Sequence, residues 1–317
     1  MTWIYSHSDF LAHQTGTHPE RPERLIAILR QLERTGLGAR CHHPTWEVAT
    51  TAELTTIHGT DYLNDLNAFC LRGGGRIEED TVVSARSYDI ARLAAGAAIS
   101  ATRAVISGDT PTALCLVRPP GHHARRDTAM GFCLINNISV AAHAALAAGL
   151  SRILIIDWDV HHGNGTQEQF YTDPRVGFFS IHRWPFYPGT GDHDETGSGP
   201  GLGTTKNLPI AWGTSRQEYL NQFTEAVEGF ADKIRPELVL LSAGFDAHRD
   251  DPVGSLGLET EDFAMLTQIV GEITATWCGK KLVSVLEGGY NTGVLAGCVE
   301  EHVRGLLTLE NRDIKSA

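Results

Sequence analysis

Asp157, Asp159 and His161 follow one another at intervals of two in the segment Asp157-Trp-Asp-Val-His161. On an extended chain that period turns all three side chains to one side, where a single cation can be met. Asp159 and His161 each offer one ligand atom, and Asp246, in Ser242-Ala-Gly-Phe-Asp246, offers a third. Three protein ligands with open positions for water and substrate are what a catalytic zinc requires. Asp157 then serves elsewhere. His122 and His123 stand side by side behind a Pro-Pro-Gly turn whose residues fix the local backbone. They read as a proton-handling pair beside the metal, one of them a general base that takes a proton from attacking water and returns it to a leaving amine. Tyr290 follows two glycines that allow close approach, and its hydroxyl can donate to an oxyanion developing opposite the metal.

These residues need elements that converge. Short apolar runs at 113–117, 153–156, 176–181, 238–241 and 282–286 read as buried strands, and each is followed by a polar cluster. Between them, 88–106 and 139–148 are rich in Ala and Leu at helical spacing, and 217–234 is amphipathic and ends before Pro236. Strands that are continuously apolar and alternate with helices predict an α/β three-layer sandwich with a mainly parallel central sheet. In such a sheet the ligand site lies beyond the carboxyl ends of the strands, which is where the polar clusters fall. The Gly- and Pro-rich stretch 183–207 reads as a rim loop. Its segment 197–203 lacks the G-x-G-x-x-G spacing and following lysine of a phosphate cradle.

The chain has 317 residues, enough for one catalytic domain over 1–317 with a full core, and no repeat or linker divides it. Lys and Arg total 26 against 38 Asp and Glu, a net charge of −12 that argues against direct binding of nucleic acid or anionic lipid. The first ten residues have neither a basic nor an apolar signal region, so a cytoplasmic enzyme is expected. Apolar stretches such as 140–150 are too short to span a bilayer, and no membrane segment is expected. The six cysteines contain no CxxC pair and read as buried free thiols.

Across most of its length the sequence resembles the zinc-dependent histone deacetylase and acetylpolyamine amidohydrolase superfamily, with its arginase-like fold. His18-Pro-Glu-Arg-Pro-Glu-Arg24, RPPGHHA from Arg118, GFC from Gly131, DVHHGNGTQ from Asp159, FYPGTG from Phe186, SAGFDAH from Ser242 and LEGGY from Leu286 occur in the family's order. The resemblance implies that Asp159, His161 and Asp246 bind one zinc, that His123 is the general base and acid, and that His122 assists electrostatically. It implies that Tyr290 polarises the carbonyl and that Asp157 orients His122. Asp157, Ser180 and main-chain oxygens of Asp159, His161 and Ile181 would hold a structural potassium ion. Gly131, Phe132 and Tyr187 would line a narrow tunnel for an acyl-lysine chain, with Gly289 beside Tyr290 also on the substrate side. Asn164 stands where class I deacetylases carry an aspartate and class II and bacterial relatives carry Asn, so the chain looks class II-like.

The implied substrate is an acylated lysine in a protein or peptide, with an acetylated polyamine as the alternative. A polyamine-selective relative is expected to place an acidic residue near the tunnel mouth, where the neutral Val253 stands here; Asp80 and Thr81 supply rim polarity. Two further readings are an arginase-type hydrolase with two manganese ions, suggested by Asp246-Ala-His248-Arg-Asp250, and a non-catalytic binder of acylated side chains. The first needs more bridging carboxylates than the 157–161 segment leaves free. The sequence does not address oligomeric state.

Overall fold

A computed structural model of the chain describes residues 1–311; the last six residues of the expected 1–317 domain lie outside the described residues. The elements run, in chain order, β1 (Trp3–Tyr5), α1 (Glu23–Arg34), α2 (Thr51–Leu54), α3 (Thr60–Leu71), β2 (Gly74–Arg76), β3 (Val82–Ser84), α4 (Ser87–Ser107), β4 (Thr112–Cys115), α5 (Asn137–Ala147) and β5 (Ile153–Asp157). They continue with α6 (Asn164–Phe170), β6 (Val176–Trp184), β7 (Thr205–Ala211), α7 (Arg216–Ile234), β8 (Leu238–Ala243), α8 (Thr260–Trp277), β9 (Leu282–Leu286) and α9 (Thr292–Asn311).

Seven strands form one parallel sheet in the order β1-β4-β9-β8-β5-β6-β7, and β2 pairs antiparallel with β3. Strands β4, β9, β8 and β5 are buried at every residue, because helices cover both faces. Helices α4 and α5 pack on one side; α1, α7, α8 and α9 pack on the other. This is the three-layer α/β sandwich that the apolar runs predict.

The edges differ from the sequence reading. β6 runs through Trp184 and β7 begins at Thr205, so both ends of the stretch read as a loop at 183–207 belong to the sheet. As an outer strand, β7 alternates between buried and exposed positions and tolerates Pro209 and Lys206, which hides it from a search for apolar runs. β1 has three residues, and its outer side is closed by hydrogen bonds between Ile4 and His42 and between His42 and Thr2. By length and composition α4 passes the test for a bilayer-crossing helix, which the sequence reading did not apply to it; 67% of its most apolar window is buried within the molecule, as befits a core helix. All six cysteines are free and buried.

The register sets the site. Cys115, Val285, Ser242, Asp157 and Ser180 stand in one row across β4, β9, β8, β5 and β6. The chemistry-bearing residues leave the sheet just past that row, on adjacent strands, and this draws segments far apart in sequence to one crevice.

Candidate active site

Asp159 and His161 lie in the turn after β5, and Asp246 lies just after β8 on the neighbouring strand. One donor atom from each falls within 4.8 Å of the others, and all three residues are buried. His161 Nδ1 is 3.0 Å from Asp159 Oδ1 and 3.1 Å from Asp246 Oδ2. Backbone amides fix the carboxylates: Gly288 donates to Asp159 Oδ2 at 2.8 Å, His161 to Asp159 Oδ1 at 2.9 Å, and Val160 to Asp246 Oδ1 at 3.0 Å. Asp246 Oδ2 receives no well-formed hydrogen bond, although the His161 ring nitrogen faces it. Two buried carboxylates side by side are costly without positive charge between them, and a cation among the three groups removes that cost. The surroundings leave room for nothing larger than hydrogen on the adjoining glycines. A Cβ on Gly288 would lie 2.1 Å from Asp246 Oδ2, and one on Gly244 2.1 Å from Asp159 Oδ2. Burial works against a charge on His161, yet its contacts with Asp159 and Asp246 outweigh burial and raise its pKa to about 9. The cluster calls for positive charge at its centre, and its two carboxylates and one imidazole fit a zinc ligand set.

The two neighbouring histidines meet different partners. His122 Nδ1 donates to Asp157 Oδ2 at 2.9 Å, and His123 Nδ1 donates to Asn164 Oδ1 at 2.7 Å, which leaves the Nε2 lone pair of His123 free. Burial opposes charge on both. For His122 the carboxylates of Asp157 and Asp159 prevail and lift the pKa to about 10; for His123 burial wins, helped by His122 and His161, and holds it well below the ordinary value. One imidazole is therefore held cationic and its neighbour neutral, the division of labour that general acid–base chemistry uses. Asp157 also accepts from Asp159 N at 3.1 Å, so the carboxylate that orients His122 also shapes the ligand turn.

A cavity of about 200 Å³ opens over this cluster. Its floor is His123, His161 and Tyr290; Gly131, Phe132, Phe186 and Tyr187 form the walls, and Asp80 and Val253 also line it. Gly131 and Phe132 both adopt left-handed backbone (φ 57° and 69°), as a two-residue hairpin turn requires, and Met130 and Cys133 exchange backbone hydrogen bonds around them. A Cβ on Gly131 would sit 2.2 Å from the His123 ring. Phe132 pays for this conformation with outside support: Thr81 Oγ1 accepts from its amide at 3.0 Å, and Asp80 Oδ1 accepts from that of Gly131 at 3.1 Å. His18 holds the Asp80 carbonyl at 2.9 Å and meets the Phe132 ring edge-on at 4.4 Å between centroids. Tyr290 is 8% exposed, and burial raises its hydroxyl well above the usual range, so it stays a donor. Larger open clefts of about 590 to 780 Å³ mark the surface, one of them reaching Met130 and Asn164 behind His123; among the described residues none contains a donor cluster of this kind.

Of the residues singled out from the sequence, the structure brings Asp159, His161, Asp246, His122, His123, Asn164, Tyr290, Gly131, Phe132 and Tyr187 to this crevice. Asp157 and Ser180 lie opposite each other on β5 and β6 beneath it, with Ile181 next in β6. Gly289 is not among the cavity walls. Its φ of 117° turns the chain, and its carbonyl accepts from Arg24 Nε at 2.6 Å.

The supporting charges carried no role in the sequence reading. Arg118, just past β4, is fully buried and forms a two-point contact with Glu20 at 2.5 and 2.7 Å. Arg24 bonds Glu20 at 3.2 Å and also the carbonyls of Glu287 and Gly289, so one network ties the Arg118 turn to the Tyr290 loop. Glu287 Oε2 accepts from the amides of Gly121 and His122 at 2.7 and 3.2 Å; Asp251 Oδ2 accepts from that of Tyr290 at 2.6 Å. The available signal was the placing of Glu20, Arg24, Arg118 and Glu287 inside the family motifs themselves.

Three comparisons bear on this arrangement. The model of the histone deacetylase domain matches residues 18–306. A protein of Archaeoglobus fulgidus described as a probable deacetylase is 39% identical over 294 residues, 92% of this chain and 82% of that one. The human protein named polyamine deacetylase HDAC10 is 40% identical over 304 residues, 91% of this chain but 44% of its own length. The crystal structure of the HDA15 HD domain superposes with a TM-score of 0.92 at 37% identity, covering 97% of this chain and 88% of that one. With a buried Asp-His-Asp cluster suited to a metal beneath an aromatic cavity, the chain belongs to the histone deacetylase domain family and is a hydrolase of its deacetylase and amidohydrolase type.

Proposed function

We propose that the protein removes acetyl or other acyl groups from the side-chain amine of acyl-lysine in proteins or peptides, using zinc held by Asp159, His161 and Asp246. The observation that carries this reading is the buried donor cluster of Asp159, His161 and Asp246 at the foot of an aromatic-walled cavity that Tyr290 also lines. Zinc bound there supplies a Lewis acid for the acyl carbonyl and lowers the pKa of a bound water. Neutral His123 accepts the proton of the attacking water at Nε2 and hands it to the departing amine. His122, cationic against Asp157, steadies the negative charge that develops, and the Tyr290 hydroxyl donates to the carbonyl oxygen as it becomes an oxyanion. Phe132 and Tyr187 hold the methylene stem between aromatic faces and keep water from it. Asn164, a neutral partner for His123, supports a class II-like assignment.

For the structural potassium ion we propose Asp157, Ser180 and the main-chain oxygens of Asp159, His161 and Ile181. The pairing of Asp157 with Ser180 across β5 and β6 supports it. A binuclear manganese centre finds no support: among the described residues the other donor cluster is His122, Cys133 and Glu287, in which His122 is already bonded to Asp157.

A second reading, acetylated polyamine as substrate, draws on the likeness to the human polyamine deacetylase. Val253 on the cavity wall supports the lysine substrate, because it offers no negative charge to a second ammonium group, and the Asp80 carboxylate that shares the wall is engaged by the Gly131 amide and the Thr81 hydroxyl. Steady-state acetate release from an acetyl-lysine peptide and from an acetylated polyamine separates the two. The peptide should have the higher kcat/KM by tenfold or more; the reverse order overturns the choice of substrate.

A further inference from the structure

The hydrogen bond between His123 and Asn164 carries an ambiguity that the bond between His122 and Asp157 does not. Both oxygens of a carboxylate accept, so Asp157 holds Nδ1–H of His122 whichever way it turns. A primary amide has two unlike ends. If Asn164 presents Oδ1 to His123, the ring keeps its proton on Nδ1 and its lone pair on Nε2. If it presents Nδ2, Nδ1 must become the acceptor, the proton moves to Nε2, and the ring no longer serves as a base on the metal side. The backbone at Asn164 does not decide between them. It is held by its own hydrogen bond to the His162 carbonyl at 2.8 Å and by Gly165, where a Cβ would come within 2.3 Å of the Ala124 carbonyl oxygen. A half-turn of the amide about its last torsion moves neither contact.

A third group decides. Met130 Sδ lies 3.4 Å from Asn164 Nδ2, on the side of the amide opposite His123. A thioether carries no proton, so it accepts from Nδ2 and repels Oδ1. The backbone of Met130 is fixed, because it exchanges both main-chain hydrogen bonds with Cys133 around the Gly131–Phe132 turn, at 2.9 and 3.2 Å, and this sets where its side chain starts. We propose that Met130 is a positioning residue: its sulfur selects the orientation of the Asn164 amide and thereby the tautomer of His123. This rests on the reading of His123 as the base.

The test is a double-mutant cycle with a readout independent of turnover. Met130→Leu keeps the volume and removes the acceptor. In the native background kcat should fall about three- to tenfold, the range set by one modest hydrogen bond, with KM, melting temperature and metal content unchanged. In the Asn164→Asp background, where both oxygens accept and no orientation is left to select, the same substitution should change kcat less than twofold. Nitrogen-15 NMR of histidine-labelled protein, with His123 assigned from a His123→Ala sample, should show the Nδ1–H tautomer in the native protein and a growing Nε2–H population in Met130→Leu. An equal loss of kcat in both backgrounds, no loss in the native one, or an unchanged tautomer overturns the proposal. A protein that hydrolyses no acyl amide defeats the deacylase reading instead, and the tautomer measurement still decides the role of Met130.

Discussion

Replacing Tyr290 by phenylalanine deletes one oxygen from the cavity and disturbs little else. The ring is held edge-on to Phe132 at 5.4 Å, with the Arg24 guanidinium 5.0 Å from its centre, and the backbone amide is anchored to Asp251 at 2.6 Å. None of these contacts involves the hydroxyl. Asp159, His161 and Asp246 do not bond to it either, so the metal site should survive. What is lost is a donor at a site where Tyr290 is only 8% exposed, so water replaces it poorly. Removal of one oxyanion donor costs roughly 2.7–4 kcal/mol, a fall of about 10² to 10³ in kcat. Because the donor acts on charge that develops only in the transition state, KM should move little. The assay is acetate release from an acetyl-lysine peptide, with metal content and melting temperature measured on the same preparation. A kcat within threefold of the native value, with metal retained, would remove Tyr290 from the mechanism.

Three further outcomes follow from the geometry. Glu20→Gln leaves Arg118 and Arg24 buried without their carboxylate, and urea unfolding at pH 7 should show a loss of about 3–5 kcal/mol. Burial alone would raise the Glu20 pKa, but Arg118 holds it well below its ordinary 4.5. A depressed carboxylate stabilises the fold above about pH 4.5 and loses that contribution as pH falls through its folded value. The deficit of Glu20→Gln should therefore be full at pH 7 and shrink below about pH 4.5; a deficit that grows in acid would contradict the pairing. Asn164→Asp places an anion against His123 Nδ1 and should raise the imidazolium pKa by roughly 1–3 units, moving the acidic limb of the pH–rate profile upward; a stationary limb rejects His123 as the titrating base. Gly131→Ala forces a methyl against the His123 ring, and kcat should fall at least tenfold by displacement of the base, an account that native-like turnover would refute.

The metal ligands were legible because a central parallel strand, buried on both faces, is an unbroken apolar run, and the residue that ends it is polar only for a reason. Asp157 ends 153–156 and Ser242 ends 238–241, and the ligands Asp159, His161 and Asp246 follow within a few residues of those two ends. Outer strands break it: β7 alternates in burial, and β1 is too short to register. The charged scaffold was hidden for a different cause. Glu20 meets Arg118 98 residues away, and Arg24 meets Gly289 265 residues away, so neither local spacing nor periodicity marks the pair. The structural part Gly289 plays was not legible: its positive φ turns the chain and its carbonyl accepts from Arg24. Met130 shows the limit most sharply: its side chain gains meaning only from an amide on another element.

The central claim is that one zinc ion is held jointly by Asp159, His161 and Asp246. Elemental analysis after exhaustive dialysis, on the native protein and on Asp246→Ala, tests it most directly. One zinc per chain in the native protein and none in the variant, with both folded by circular dichroism, is the predicted result. A full equivalent of zinc in Asp246→Ala, or two manganese ions in the native chain, would contradict the account.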